Sequence, residues 1–234
     1  MATVARRVPL RELRGSFYNS KIGSGARDRS LVCRFIREEG TRLQIITYPH
    51  PTLRKVAKPI KRVDAELRAM VAQMFDLMYE AKGIGLAANQ VDLPLRLFVI
   101  NLTAEKGKGE ELVFINPVLS HPKGSAEAEE GCLSLPGVYG QVVRPKTVQV
   151  NAYNLQGQEI SAEVGGLLAR CIQHENDHLD GVMFPDRMSE SSRVELGGEL
   201  QEFEDEFQSK RGTGEMPSDE AIAEQWKKWH ERYC

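Results

Sequence analysis

Three short segments contain residues that could do chemistry together. The first is His174-Glu175-Asn176-Asp177-His178, which fits H-E-x-x-H inside a strongly helical stretch. Four residues of α-helix turn the chain by about 400°, so His174 and His178 project from one face a single turn apart. Neutral imidazoles placed that way can share one divalent ion, and Glu175 beside them can reach a water without binding the metal. Two histidines that only satisfy core hydrogen bonds are the plain alternative for this motif taken alone.

A hydrolytic metal needs a third protein ligand and an open position. Cys132, in Glu130-Gly131-Cys132-Leu133-Ser134-Leu135-Pro136, lies in a constrained non-helical stretch and could approach from the opposite side. Cys171 is one turn before His174, but three ligands from consecutive turns of one helix give poor tetrahedral geometry. Glu199 lies 21 residues after His178, a spacing some zinc proteases use. Local grounds favour Cys132; spacing leaves all three open. The last segment is Gly83-Ile84-Gly85-Leu86-Ala87-Ala88-Asn89-Gln90, where two glycines permit close approach of another chain and Gln90 supplies an amide. Taken alone, this is equally well a tight helix-to-strand turn.

These segments need a scaffold. Leu67, Met70, Val71, Met74, Phe75 and Met78 describe an amphipathic helix from an Asp64 N-cap to about Ala81, stopped at Gly83, with its methionines in the core. LQIITY, LRLFVIN, ELVFINP, TVQVNAYN and QEISAEV read as β-rich, with a hairpin at Leu155-Gln156-Gly157. Leu167, Leu168, Cys171, Ile172, His174, His178 and Leu179 mark the helix of the histidines, closed by Gly181. The expected fold class is α+β, with mostly antiparallel β-sheets packed around a central helix carrying H-E-x-x-H. An additional N-terminal helix and a C-terminal helical extension complete it.

Charge divides the chain. Residues 1–40 hold nine basic against four acidic side chains, and residues 186–234 hold seven against thirteen. The first stretch reads as a basic, disordered extension, followed by a catalytic domain at 41–188 and an acidic helical extension at 189–234. In that extension Val194, Leu196, Leu200, Phe203 and Phe207 form a stripe weakened by Gly197 and Gly198. Ser218 can cap a last helix with Ile222, Trp226, Trp229 and Tyr233 on one face, docked onto the body or meeting a partner. The formal net charge of −2 gives no global pull toward nucleic acid or anionic membrane, and no apolar run approaches the roughly 20 residues that span a bilayer. Cys33, Cys132, Cys171 and Cys234 show no paired short spacing, which favours a reducing compartment. A bacterial cytoplasm is the expected location. An organelle-targeting extension, Arg-rich and Ser-bearing, is the alternative, and Glu12, Asp28, Glu38 and Glu39 argue against it.

GIGLAANQ, EEGCLSLP and QHENDHLDG, in that order, resemble the three signature motifs of the peptide deformylase family, and YPHPTLR resembles the start of its domain. The likeness covers about residues 43–188, and EGCLSLPGVYGQVVRP is most similar to the bacterial and plant-organelle type. It implies removal of the formyl group from N-formylmethionine on newly made proteins. It further implies that Cys132, His174 and His178 hold one divalent ion beside a water, with Glu175 relaying protons. The Gln90 side-chain amide and the Leu133 backbone N–H would hold the oxyanion. Backbone atoms of Gly83, Gly85 and Leu133 would pair with the substrate, and Ile84, Cys171 and Ile172 would surround its methionine. A thiolate with two imidazoles suits Fe(II), the ion expected in the cell, and equally Zn, Ni or Co. The partners implied are N-formylmethionyl nascent peptides, with a ribosome contact through residues 189–234, no membrane and no specific nucleic-acid sequence.

Overall fold

The computed structural model describes residues 42–234 of the chain; the basic extension expected at 1–40 lies outside them. Helix α1 (Ala65–Glu80) starts where expected, with the Asp64 carboxylate accepting from the Leu67 N–H at 2.9 Å. Its Leu67, Met70, Val71, Met74, Phe75 and Met78 are all buried. The stop is one residue earlier than the glycine suggested. Lys82 takes the left-handed conformation (φ 56°) and donates to the Tyr79 carbonyl, while Gly83 N–H donates to the Met78 carbonyl at 2.8 Å. This pair of bonds satisfies two of the carbonyls a helix end leaves open.

A five-stranded sheet follows in the order β1-β2-β3-β6-β7, every pairing antiparallel. Its strands are β1 (Gly85–Ala87), β2 (Leu97–Ile100), β3 (Leu112–Lys123), β6 (Thr147–Tyr153) and β7 (Glu159–Gly165). Leu97, Phe98, Val99 and Ile100 are buried on both faces, which explains the unbroken apolar run of β2. The β6–β7 hairpin turns at Gly157 (φ 75°), as its sequence indicates. A second, two-stranded sheet pairs β4 (Ala126–Cys132) with β5 (Leu135–Arg144). No strand was expected in this stretch. AEAEEGC has low β propensity, and the pairing is set by the partner strand and the tight turn at Leu133-Ser134. LQIITY, by contrast, is extended without joining a sheet. It makes isolated bonds, Ile46 N–H to the Gln90 carbonyl and Tyr48 N–H to the Ser134 carbonyl, both at 2.9 Å.

Helix α2 (Gly166–Leu179) packs on β1, β2, β6 and β7 and carries His174, Glu175 and His178. The tail forms α3 (Glu190–Glu195), α4 (Gly197–Thr213) and α5 (Asp219–Tyr233), the first two divided at the glycine pair. Leu196 and Phe207 are buried, whereas Val194 is 73% exposed and leaves the expected stripe, because α3 ends before the stripe can continue. Trp229 and Tyr233 join the core that α1 builds with β2. Tyr233 donates to the Asp64 carboxylate at 3.1 Å, Trp226 to the Thr52 hydroxyl at 2.9 Å and Tyr48 to Glu204 at 2.5 Å. Ser218 caps α5 by accepting from the Ala221 N–H. Ser218→Ala is therefore expected to lower stability by about 1 kcal/mol, read as a small fall in thermal midpoint. No helix among the described residues is long and apolar enough to cross a membrane.

Candidate metal centre

Strand β4 delivers Cys132 at its end, and α2 delivers the two histidines. One ligand atom from each of Cys132, His174 and His178 lies within 4.8 Å of the others. The Cys132 Sγ is 3.2 Å from His178 Nε2, and the two imidazole rings sit edge to face with centroids 5.0 Å apart. Cys171 is not part of this group. It is buried, its Sγ lies 3.8 Å from the Ile84 carbonyl, and burial pushes its thiol pKa well up. Glu199 is exposed in the first turn of α4 and is also outside the group.

The sulfur and nitrogen atoms are held by neighbours that sequence reasoning passed over. Glu130, two residues before Cys132, accepts from His174 Nδ1 at 3.0 Å, which leaves Nε2 as the atom for the shared space. Arg144 grips Glu130 with two bonds of 2.6 and 2.9 Å and reaches Asp177 at 2.8 Å; Arg170 adds a bond of 2.6 Å to Glu130. Only 7% of Glu130 and 4% of Arg144 is exposed. Burial opposes ionisation of Glu130, but bonds from His174 and Arg144 outweigh it and hold its pKa at about 2. Burial likewise opposes charge on His174, yet hydrogen bonds to Cys132 and Glu130 push its pKa up to about 10. Among the described residues no acid bonds His178; burial and then the charge of His174 hold it well below the usual range, a neutral imidazole. The signal for Glu130 was its i, i+2 relation to Cys132, which puts both on one side of a strand.

Gln90 sits in a short 3₁₀ turn after β1 and is buried. Its carbonyl accepts from the Ala87 N–H at 2.8 Å, which fixes the amide so that its NH₂ points at Cys132 Sγ (3.4 Å) and Ser134 Oγ (3.3 Å). Glu175 is buried, its Oε2 has no hydrogen-bond partner among the described residues, and burial first of all lifts its pKa to about 7. Gly85 explains its own identity: a Cβ there would lie 2.3 Å from Glu175 Oε1 and 2.8 Å from Cys171 Sγ. Gly85→Ala is expected to displace Glu175 and reduce turnover roughly 100-fold with the fold retained, checked by kinetics alongside circular dichroism.

A cleft of about 730 Å³ opens beside these groups. Its walls include Gly83, Ile84 and Gly85 on one side, Leu133 and Tyr139 on another. Gly83 lies directly against the Leu133 side chain. Ile172, expected at the cleft, is fully buried on another face of α2 and does not line it, whereas Leu167, Arg170 and Cys171 do. A helix presents one stripe to a cleft, and residue 172 lies off it.

The polypeptide deformylase family model matches residues 42–194. A peptide deformylase of Rhodopirellula baltica is 52% identical over 191 residues, spanning 82% of this chain and 95% of that one. Peptide deformylase 1B, chloroplastic/mitochondrial, of Arabidopsis thaliana is 41% identical over 183 residues, 78% of this chain and 66% of that protein. A plant peptide deformylase crystal structure superposes with a TM-score of 0.72 at 41% identity, covering 76% of this chain and 96% of that chain. A match over most of the described residues, at this level of identity and with a shared fold, shows that the chain belongs to the polypeptide deformylase family.

Proposed function

We propose that this chain is a metal-dependent hydrolase that removes the N-formyl group from N-formylmethionyl nascent peptides, releasing formate. The observation that carries the proposal is the meeting of Cys132, His174 and His178 beside the buried carboxylate of Glu175 and the aimed amide of Gln90. One thiolate and two imidazoles, with His174 presenting Nε2 because Glu130 occupies Nδ1, suit a divalent transition ion. Fe(II) is the ion we assign in the cell, with Zn, Ni or Co able to replace it. Such an ion supplies Lewis acidity there, polarising the formyl carbonyl and making water acidic enough to act as a nucleophile near neutral pH.

The protein's own groups do the rest. Glu175 takes the proton of the attacking water and delivers it to the departing amine nitrogen. The Gln90 NH₂ and the Leu133 backbone N–H donate to the oxygen on which negative charge develops. Backbone atoms of Gly83, Gly85 and Leu133 pair with an extended peptide, which reads little sequence beyond the first residue. Ile84 and Cys171 offer apolar wall to the methionine side chain.

The same reading makes the H-E-x-x-H helix the centre of a catalytic domain at 41–188, supported by its packing against four strands. Residues 189–234 form an appended helical tail. A ribosome contact through that tail would use its outward face, since Trp229 and Tyr233 are turned into the core. The location we assign is the bacterial cytoplasm.

The test is turnover of formyl-Met-Ala by purified, iron-loaded protein under anaerobic conditions, read as formate release. Release is expected, and its absence would remove the proposal. Glu199→Ala is expected to leave the rate within about twofold, as for an exposed side chain. A collapse of activity in that variant would point instead to an endopeptidase-like site using Glu199.

A further inference from the structure

The cleft beside the metal group contains a charge that a pocket for methionine does not need. Arg170 lies one turn before His174 on α2, lines the cleft, and keeps 15% of its side chain exposed. Its guanidinium is pinned. Nη1 donates to Glu130 Oε1 at 2.6 Å and to the Val142 carbonyl at 3.0 Å, and Nη2 donates to the Ala126 carbonyl at 2.7 Å. An arginine has five N–H donors. Three are engaged among the described residues; the Nε–H and one Nη2–H are not.

The neighbouring acceptor is already saturated. Glu130 accepts from Arg144 and Arg170 on Oε1, and from Arg144 and His174 on Oε2. Four bonds fill the acceptor sites of a carboxylate. This wall of the cleft therefore has N–H donors left over and a carboxylate with nothing more to accept. Arg170, His174 and Gln90 line the same cleft, and Arg170 stands about 5.4 Å, one helical turn, from His174 along α2.

We propose that Arg170 is a specificity-determining residue that lets the enzyme deformylate peptides whose first side chain ends in a neutral hydrogen-bond acceptor, with methionine sulfoxide the natural case. Oxidation of methionine keeps its length and adds one oxygen that accepts hydrogen bonds. An apolar pocket would reject that oxygen by leaving it unpaired, whereas Arg170 supplies its partner. The chemistry is unchanged: the formyl C–N bond is hydrolysed, formate and a free amine leave, and the sulfoxide is neither reduced nor consumed. The proposal rests on the deformylase reading above.

The experiment compares kcat/KM for formyl-Met-Ala, formyl-norleucine-Ala and formyl-methionine-sulfoxide-Ala, in the wild type and in Arg170→Leu. Norleucine matches the length without the acceptor. The wild type is expected to use the sulfoxide within about tenfold of norleucine, and Arg170→Leu to lower the sulfoxide-to-norleucine ratio about tenfold. A purely structural role, in which Arg170 only braces Glu130, would lower all three substrates together and leave the ratio unchanged; that result overturns the proposal. Should the leucine variant not fold, the wild type decides alone, because discrimination against the sulfoxide by more than about 100-fold relative to norleucine also overturns it. No turnover of formyl-Met-Ala in the wild type would instead be a failure of the deformylase reading.

Discussion

Glu175→Ala is expected to keep its metal and to lose activity toward formyl-Met-Ala by about 10²–10⁴-fold, the range a positioned general base contributes. Glu175 stands next to the ligand cluster and outside it, so its removal takes away no donor atom. Its carboxylate is buried, pressed against Gly85, and has one oxygen without a partner among the described residues. Nothing in the fold depends on that oxygen, and the thermal midpoint should hold. The measurement pairs steady-state kinetics with metal content after dialysis. Near-normal activity would remove Glu175 from the mechanism, and loss of the ion would make it a ligand.

The largest effect on stability is expected at Arg144. Its guanidinium sits between Glu130 and Asp177, and all three are nearly inaccessible to water. Removing one partner of a buried ionic cluster leaves the others charged and desolvated, which costs about 3–5 kcal/mol. In a chain of this size each kcal/mol lowers the thermal midpoint by about 2–4 °C, so Arg144→Ala should melt roughly 10 °C lower. Metal affinity should fall with it, because Glu130 loses its main support and His174 its fixed ring. A loss below about 1 kcal/mol would show that Arg170 and Arg187 carry the cluster without Arg144.

Sequence reading succeeded where periodicity or a motif had one physical solution. The Met70, Met74 and Met78 stripe could only be a buried helical face, and His174 and His178 four apart could only share one side. It failed where a polar residue does interior work. Glu130, Arg144 and Asp177 look like surface charges in a chain rich in them, and their burial depends on one another, which no single-residue pattern reveals. The β4–β5 hairpin was hidden for a related reason, since Glu127 and Glu129 alternate outward on a strand whose register comes from its partner. LQIITY shows the converse, a β-rich segment that joins neither sheet and makes only isolated backbone bonds, Ile46 to Gln90 and Tyr48 to Ser134. Gln90 was visible as an amide, but the Ala87 bond that aims it was not.

The three segments that build the site stand far apart in the chain. The Gln90–Cys132, Glu130–His174 and Cys132–His178 contacts close separations of 42, 44 and 46 residues. Closing such loops belongs to the slow, non-local part of folding rather than to local helix or hairpin formation. Recovery of hydrolysis after denaturation should thus trail the return of helix signal and coincide with final consolidation of the molecule. A half-folded copy, however helical, carries no assembled chemistry.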